Sequence, residues 1–342
     1  MKKSVSLILV ITILLGIAGC KKETTPVNVV KKQETAVPVE DSSTTEPGKY
    51  IEKYINTNER PIAIMVDNDN KYARPQAGLD EAYLIYEMPV EGGATRFMAL
   101  FRGVETEKIG PTRSSRHYFL DFAKENNAIY THYGWSPKAS ADISNLKVNN
   151  INGMAGSDGN VFWREKKFKG DWHSAYTSIP KIKERAEKKG YSDETDIQNE
   201  IKYSEEEVYL LGENNASEIL LPYSGMYKTA YKYNEDTKLY EKQINNEPHK
   251  MQNGNVLSFK NIIVEYITDK PLGDGSDRRE IITTGSGKGY YFTNGACVEI
   301  TWSKASRTAP TIYKMSDGSE LNINAGNTII NIISPGAGVK IN

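Results

Sequence analysis

The chain opens with Lys2-Lys3 and an apolar run from Val5 to Leu15, and it leaves that run through Ala18-Gly19-Cys20. A positive start, a short apolar core and small residues at the exit are the layout of an export signal. The run is shorter than the ~20 residues that a bilayer-spanning helix needs, and no later stretch is long and apolar enough to span. Residues 20–48 are rich in Lys, Glu, Thr, Val, Pro and Ser and show neither a helical nor a strand period. They read as a flexible tether.

From residue 49 the pattern changes. Pro61 to Val66 is a continuous apolar run that ends in Asp67-Asn68-Asp69-Asn70, which predicts a buried strand followed by a loop. Leu79 to Ala82 predicts a short helical turn. Tyr83 to Met88, Arg96 to Phe101 and Ala128 to His132 predict strands. Ser114 or Ser115 is expected to cap a helix reaching about Glu125, with Tyr118, Phe119, Phe122 and Ala123 on its apolar face. Pro137 to Leu146 and Ile179 to Lys189 predict helices, the second stopped by Gly190. This mixture predicts an α/β domain over 49–200.

An acidic, polar stretch from Glu194 to Glu207 marks a boundary, and 201–342 reads as short strands separated by turns. Glu218 to Pro222, Met226 to Tyr233, Lys238 to Gln243, Asn261 to Ile267, Glu280 to Thr284, Gly289 to Phe292, Ala296 to Trp302, Thr311 to Met315 and Thr328 to Ile333 all fit. Pairs such as Asn253-Gly254 and Asn294-Gly295 fall between them. The expected class is therefore α+β: a mixed α/β region followed by a β-rich region of barrel or sandwich type.

Cysteine usage gives the exit of the signal its meaning. Cys20 stands where a lipobox requires a thiol to take a diacylglyceryl group, and palmitate-like acyl chains would hold the protein to the cell membrane on its extracytoplasmic face. Cys297 is the other cysteine, so the domain behind the signal has no partner for an intramolecular disulfide. It reads as a small buried hydrophobe in a strand. The formal net charge of −1 gives no general attraction to nucleic acid.

Several signatures fail. Asp67-Asn68-Asp69-Asn70 starts like a calcium loop but lacks the glycine and the closing glutamate. Gly285-Ser286-Gly287-Lys288-Gly289 lacks the spacing of a phosphate loop and reads as a hairpin. His117, His132, His173 and His249 are scattered, so no metal and no cofactor is expected. What is left is a constellation of charge. Glu87 and Glu91 flank Gly92-Gly93, Arg96 follows, and then comes Arg113-Ser114-Ser115-Arg116. Arginines at a helix start oppose the helix dipole and call for something negative between them. Two partners are open: internal carboxylates (Glu87, Glu91 or Asp121), or a phosphate or carboxylate ligand gripped by the guanidinium forks. Arg96, Arg113, Arg116, His132 and Trp135 are the candidate ligand-binding residues. Asp67, Glu91 and His132 are the candidate acids or bases.

These same stretches carry a resemblance to the YerB-like family of bacterial lipoproteins, whose paired domains have no assigned function. It rests on Pro61 to Asn68, Ala73 to Leu79, Glu91 to Phe97, Ile109 to Arg116 and Phe162-Trp163-Arg164. In the second region it includes Gly285 to Gly289 and Trp302-Ser303-Lys304. Gly134-Trp135 stands where that family often has two glycines. A weaker analogy is to LytR-CpsA-Psr enzymes, which also use arginines to hold a pyrophosphate, although their Arg-Asp-Thr signature is missing here. The resulting expectation is an extracytoplasmic lipoprotein that binds an anionic cell-wall or lipid-linked ligand, or an envelope partner protein. The alternative is an enzyme acting on phosphorylated glycan or lipid-linked intermediates.

Overall fold

A computed structural model describes residues 46–69, 71–197, 201–210 and 214–342. The expected signal, Cys20 and nearly all of the tether lie outside the described residues. None of the described helices is long and apolar enough to cross a membrane.

One sheet organises the described chain. Its first five strands are β1 (Ile62–Asp67), β2 (Leu84–Pro89), β3 (Thr95–Phe101), β4 (Ile129–His132) and β5 (Asn150–Asn152). They lie in the order β2-β3-β1-β4-β5. β3 runs antiparallel to both neighbours, whereas β1, β4 and β5 are mutually parallel. Every residue of β1, β2 and β3 is buried. A strand covered on both faces needs apolar residues at every position, which is why β1 reads as a continuous run instead of an alternation.

The two faces are nevertheless distinct. Ala63 and Met65 join a core with Tyr50 and Tyr54 of α1 (Pro47–Tyr54), Phe119 and Phe122 of α2 (Phe119–Glu125) and Ile143 of α3 (Pro137–Asn145). Ile62, Ile64 and Val66 join a second core with Ile179, Ile182 and Ala186 of α4 (Ile179–Lys188). Period-two alternation sends successive side chains to opposite faces. The remaining element used below is the short pair β6 (Trp163–Arg164) and β7 (Ala175–Tyr176).

The β-rich region does not close into a barrel or a sandwich of its own. Thr328–Ile333 pairs parallel with β2, and Asn261–Tyr266, Gly285–Thr293, Ala296–Lys304 and Thr311–Met315 continue the same sheet beyond it. The reason lies in β2. Its apolar edge would be an open pairing template if Thr328–Ile333 did not cover it. Six further strands of this region form a second sheet whose Leu221, Tyr231 and Phe259 pack in the α4 core. Cys297 is buried in a strand of the shared sheet, as expected. The Gly285 to Gly289 stretch is itself strand, not a turn. A Cβ on Gly287 would lie 2.6 Å from the Trp302 indole nitrogen, so that glycine admits the tryptophan.

Candidate anion-binding groove

The carboxyl ends of parallel strands are where open sheets place ligand crevices. Here β1 ends at Asp67, β4 at His132 and β5 at Asn152, all at one edge. β3 runs the other way and therefore begins at that edge, with Arg96 in register with Asp67.

β1 and β4 pair from Ile62↔Ile129 to Ile64↔Thr131, and beyond this the segment Pro111–Ser115 lies between them. Asp67 N–H donates to the Pro111 carbonyl (2.8 Å) and Arg113 N–H to that of Met65 (2.9 Å). On the other side Tyr133 N–H donates to Arg113 (3.0 Å) and Ser115 N–H to Gly134 (2.9 Å). The segment is thus extended and held like a strand. This corrects the start and the cap of the helix expected from Ser114 or Ser115, which still ends at Glu125. α2 starts at Phe119 and has no side-chain cap, because the backbone N–H groups of Arg113 and Ser115 are already committed to sheet partners. Arg113 therefore does not sit on a helix terminus, whereas the Arg116 carbonyl accepts the first-turn bond from Phe119 N–H at 3.2 Å. Gly134 makes the turn beside them with φ +83°, where a Cβ would meet Ser114 Oγ at 3.1 Å and Met154 Sδ at 3.2 Å.

A groove of about 690 Å³ lies over this edge, walled by Arg96, Arg113, Arg116, Arg164 and Lys166, with Asp171 as the carboxylate in its lining. The five cations come from β3, the inserted segment and the residue that follows it, and the β6 hairpin. Trp172 and Met154 stand at its margin, 74 % and 70 % exposed. A second cavity of about 320 Å³ shares the wall made by Arg96, Arg113 and Arg116.

The three shared arginines are held differently. Arg116 grips Glu91 with Nε (2.5 Å) and Nη2 (2.9 Å), a bidentate pair. Arg113 Nε forms an ion pair with Asp67 Oδ2 at 3.1 Å but is not aligned for a hydrogen bond to it, and Oδ2 is also bonded by His173 Nδ1 at 2.6 Å. Arg96 has no carboxylate partner among the described residues. Its Nη1 donates to the Ser114 carbonyl at 2.6 Å, and its Nε, although buried, has no hydrogen-bond partner among the described residues. Arg96 is 4 % exposed. A buried guanidinium donor without an acceptor is costly.

The protonation states follow from these neighbours. Burial would raise the Asp67 carboxyl, but the hydrogen bond from His173 and the charges of Arg113 and Arg96 outweigh it and hold it below its ordinary value. For Glu91 too, burial is outweighed by the Arg116 hydrogen bond and charge, and the carboxyl is held low. Burial, with the repulsion of Arg116 and Arg113, pushes Arg96 down to about 10, so it stays charged near neutrality. Asp67, Asp69 and His173 bring ligand atoms within 4.8 Å of one another, a spacing that suits a cation. The Arg113 charge on the same Asp67 oxygen opposes one there, and we assign no metal.

Two family models match the chain. The model described as the N-terminal domain of a protein of unknown function, DUF3048, matches residues 48–192, and the C-terminal domain of the same description matches 219–330. The relative named "Putative lipoprotein YerB" from Bacillus subtilis (strain 168) is 31% identical over 287 residues, covering 81% of this chain and 82% of its own length. The chain belongs to the DUF3048 family. The crystal structure of YerB protein from Bacillus subtilis is similar to this fold, with a TM-score of 0.72 and 29% identity over 83% of this chain and 94% of that one.

Within this DUF3048 chain, the residues singled out from the sequence separate into two groups. Arg96, Arg113 and Arg116 converge on the groove, with Asp67 and Glu91 bound to two of them. His132 does not reach it. It is fully buried, its Nδ1 bonds the Gly134 carbonyl at 2.7 Å, and burial pushes it down to about 4, so it is a neutral brace for the loop. Trp135 is 43 % exposed and packs near the His132 ring instead of lining the groove. Glu87 and Asp121 are not partners of the arginine cluster. Glu87 pairs with Lys242 and Asp121 with Arg307.

Sequence reasoning missed Arg164, Lys166, Trp172 and His173. The clue was the basic, aromatic stretch from Trp163 to His173, punctuated by Gly170. It folds as a hairpin loop, and Arg164 lies 4.4 Å above the Tyr133 ring.

Proposed function

We propose that this protein is a lipid-anchored envelope protein, held through Cys20 at the extracytoplasmic face, that binds an anionic envelope ligand bearing phosphate or carboxylate groups. The lipoprotein name of the Bacillus relative supports the anchoring. The observation that carries the binding reading is Arg96: buried, charged, with no carboxylate partner and no acceptor for its Nε–H among the described residues, and lining a groove that holds four more cations. An anion in the groove would supply the missing acceptor and relieve the repulsion among Arg96, Arg113 and Arg116.

The test is calorimetric titration of the chain with pyrophosphate. Saturable binding that weakens with salt and drops about tenfold or more in Arg96→Met supports the reading. No binding, or binding that the substitution leaves unchanged, refutes it.

A second reading is an enzyme acting on phosphorylated glycan or lipid-linked intermediates. The observation behind it is the Asp67–His173 pair beside the arginines, since a carboxylate-oriented imidazole next to phosphate-holding cations is a general-base arrangement. Turnover of such an intermediate that vanishes in His173→Gln, with pyrophosphate binding retained, would favour it.

A further inference from the structure

The groove is larger than one anion needs, and its second cavity differs in character from the first. Beyond the shared arginines, the second cavity is lined by Asp69, Val90, Glu91, Ser276, Asp277 and Arg278. Ser276 to Arg278 belong to the loop between the strands Asp269–Pro271 and Arg279–Ile281, so the β-rich region closes a site that the α/β region begins. The first cavity is strongly basic. The second mixes carboxylates, a hydroxyl and one more arginine, a lining suited to hydroxyl groups with an occasional negative charge. Arg278 already shares its charge with Asp274 at 2.8 Å, within its own loop. Trp172, exposed at the margin of the first cavity, offers a flat apolar face to the carbon skeleton of a polyol or sugar.

Resting on the anion-binding reading above, we infer that the ligand is a phosphodiester-linked polyol or glycan chain, which lies along both cavities with one phosphate in each and its hydroxylated unit between them. Arg96, Arg113 and Arg116 form the common wall along which it runs. Arg278 recognises the second phosphate, so the β-rich region sets the preference for a polymer over a single phosphate. Two anionic groups on one chain bind with the second contact made intramolecular, which raises affinity without new residues.

The experiment uses the full chain and four probes: sn-glycerol 3-phosphate, a synthetic glycerol-phosphate dimer, the corresponding trimer, and vesicles containing phosphatidylglycerol. Calorimetry is expected to show the dimer and trimer binding about tenfold or more tighter than glycerol 3-phosphate. Arg278→Ala removes that gain, and Arg278→Lys keeps part of it. Equal affinity for all soluble probes overturns the polymer inference and leaves the anion-binding reading standing. Binding to vesicles alone overturns it in favour of a lipid headgroup. Failure of every probe overturns the polymer inference, and the pyrophosphate titration then decides whether the anion-binding reading falls with it.

Discussion

Two clusters of buried charge stand one strand apart and solve opposite problems. Glu87 on β2 faces Lys242, Thr229, Tyr231 and Tyr227 of the six-stranded sheet. Arg96, on the neighbouring β3, faces the groove. Lys242 Nζ bonds Glu87 Oε2 at 2.6 Å, and Thr229 Oγ1 and Tyr231 OH complete its surroundings at 3.1 and 3.4 Å. Glu87 Oε1 accepts from Thr95 at 2.7 Å and from Tyr227 and Thr229 at 3.2 Å. Both side chains of the ion pair are fully buried. Charges there are equal in number and their hydrogen bonds are filled. At Arg96 the cations outnumber the carboxylates and a donor is left over. A sealed, matched pair fixes how the two regions dock, whereas an unmatched one leaves capacity for a ligand.

The largest effect is expected from breaking the sealed pair. Lys242→Met leaves Glu87 buried and uncompensated and should lower unfolding free energy by about 3–5 kcal/mol in a denaturant titration. Glu87→Gln combined with Lys242→Met should recover much of that loss. Pyrophosphate affinity of the folded fraction should not change in either variant.

The next effect is pH dependence from a third buried group. Glu265 is fully buried, Tyr313 OH donates to its Oε1 at 2.5 Å, and Oε2 has no partner among the described residues. Burial raises its carboxyl to about 8. A folded-state value above the unfolded one means that the folded chain binds more protons between them. Its stabilising contribution is complete below pH about 4.5 and is lost as pH rises through about 8. Glu265→Gln should flatten that decline, which is on the order of a few kcal/mol, in urea melts at stepped pH. Asp67 and Glu91 have the opposite sign. Their values are lowered, so the stability they give is present above the ordinary carboxylate range and fades as pH falls below it.

A smaller effect separates binding from stability. Arg96→Met removes a desolvated cation that its neighbours repel, so thermal unfolding should shift little or move up while pyrophosphate affinity falls by about 1.5–3 kcal/mol. Smallest of all, Trp172→Ala removes an exposed ring that supports no core. Stability should stay within about 0.5 kcal/mol, and any loss should appear in binding of polyol or glycan phosphates and not of pyrophosphate.

Much of this contrast was legible in the sequence, and what was hidden had common causes. The apolar run of β1, the strands of the β-rich region and the clustering of Arg96, Arg113 and Arg116 are local signals. The pairing of Thr328–Ile333 with β2 is not local, because parallel pairing joins segments far apart in the chain, and it makes the β-rich region continue the first region's sheet instead of closing as a barrel or sandwich. The helix expected from Ser114 or Ser115 forms and ends at Glu125, but it starts late, at Phe119, because the Ser115 N–H is claimed by a sheet partner. His132 lies at a strand end, where site residues gather, yet its alternation put it inside. Lys242 gave no sign that it would meet Glu87, since a lysine in an alternating strand reads as solvent-facing until a second sheet covers it.

The central claim is that the buried Nε–H of Arg96 is an unused donor awaiting an anion. Nitrogen-15 NMR of the arginine side chains, with Arg96→Lys to assign the signal, tests it directly during a titration with inorganic phosphate. The account predicts that the Arg96 Nε–H resonance shifts saturably as it gains an acceptor, while the Lys242 ammonium stays where it was. An Arg96 signal that does not move while phosphate is bound elsewhere on the protein would contradict it.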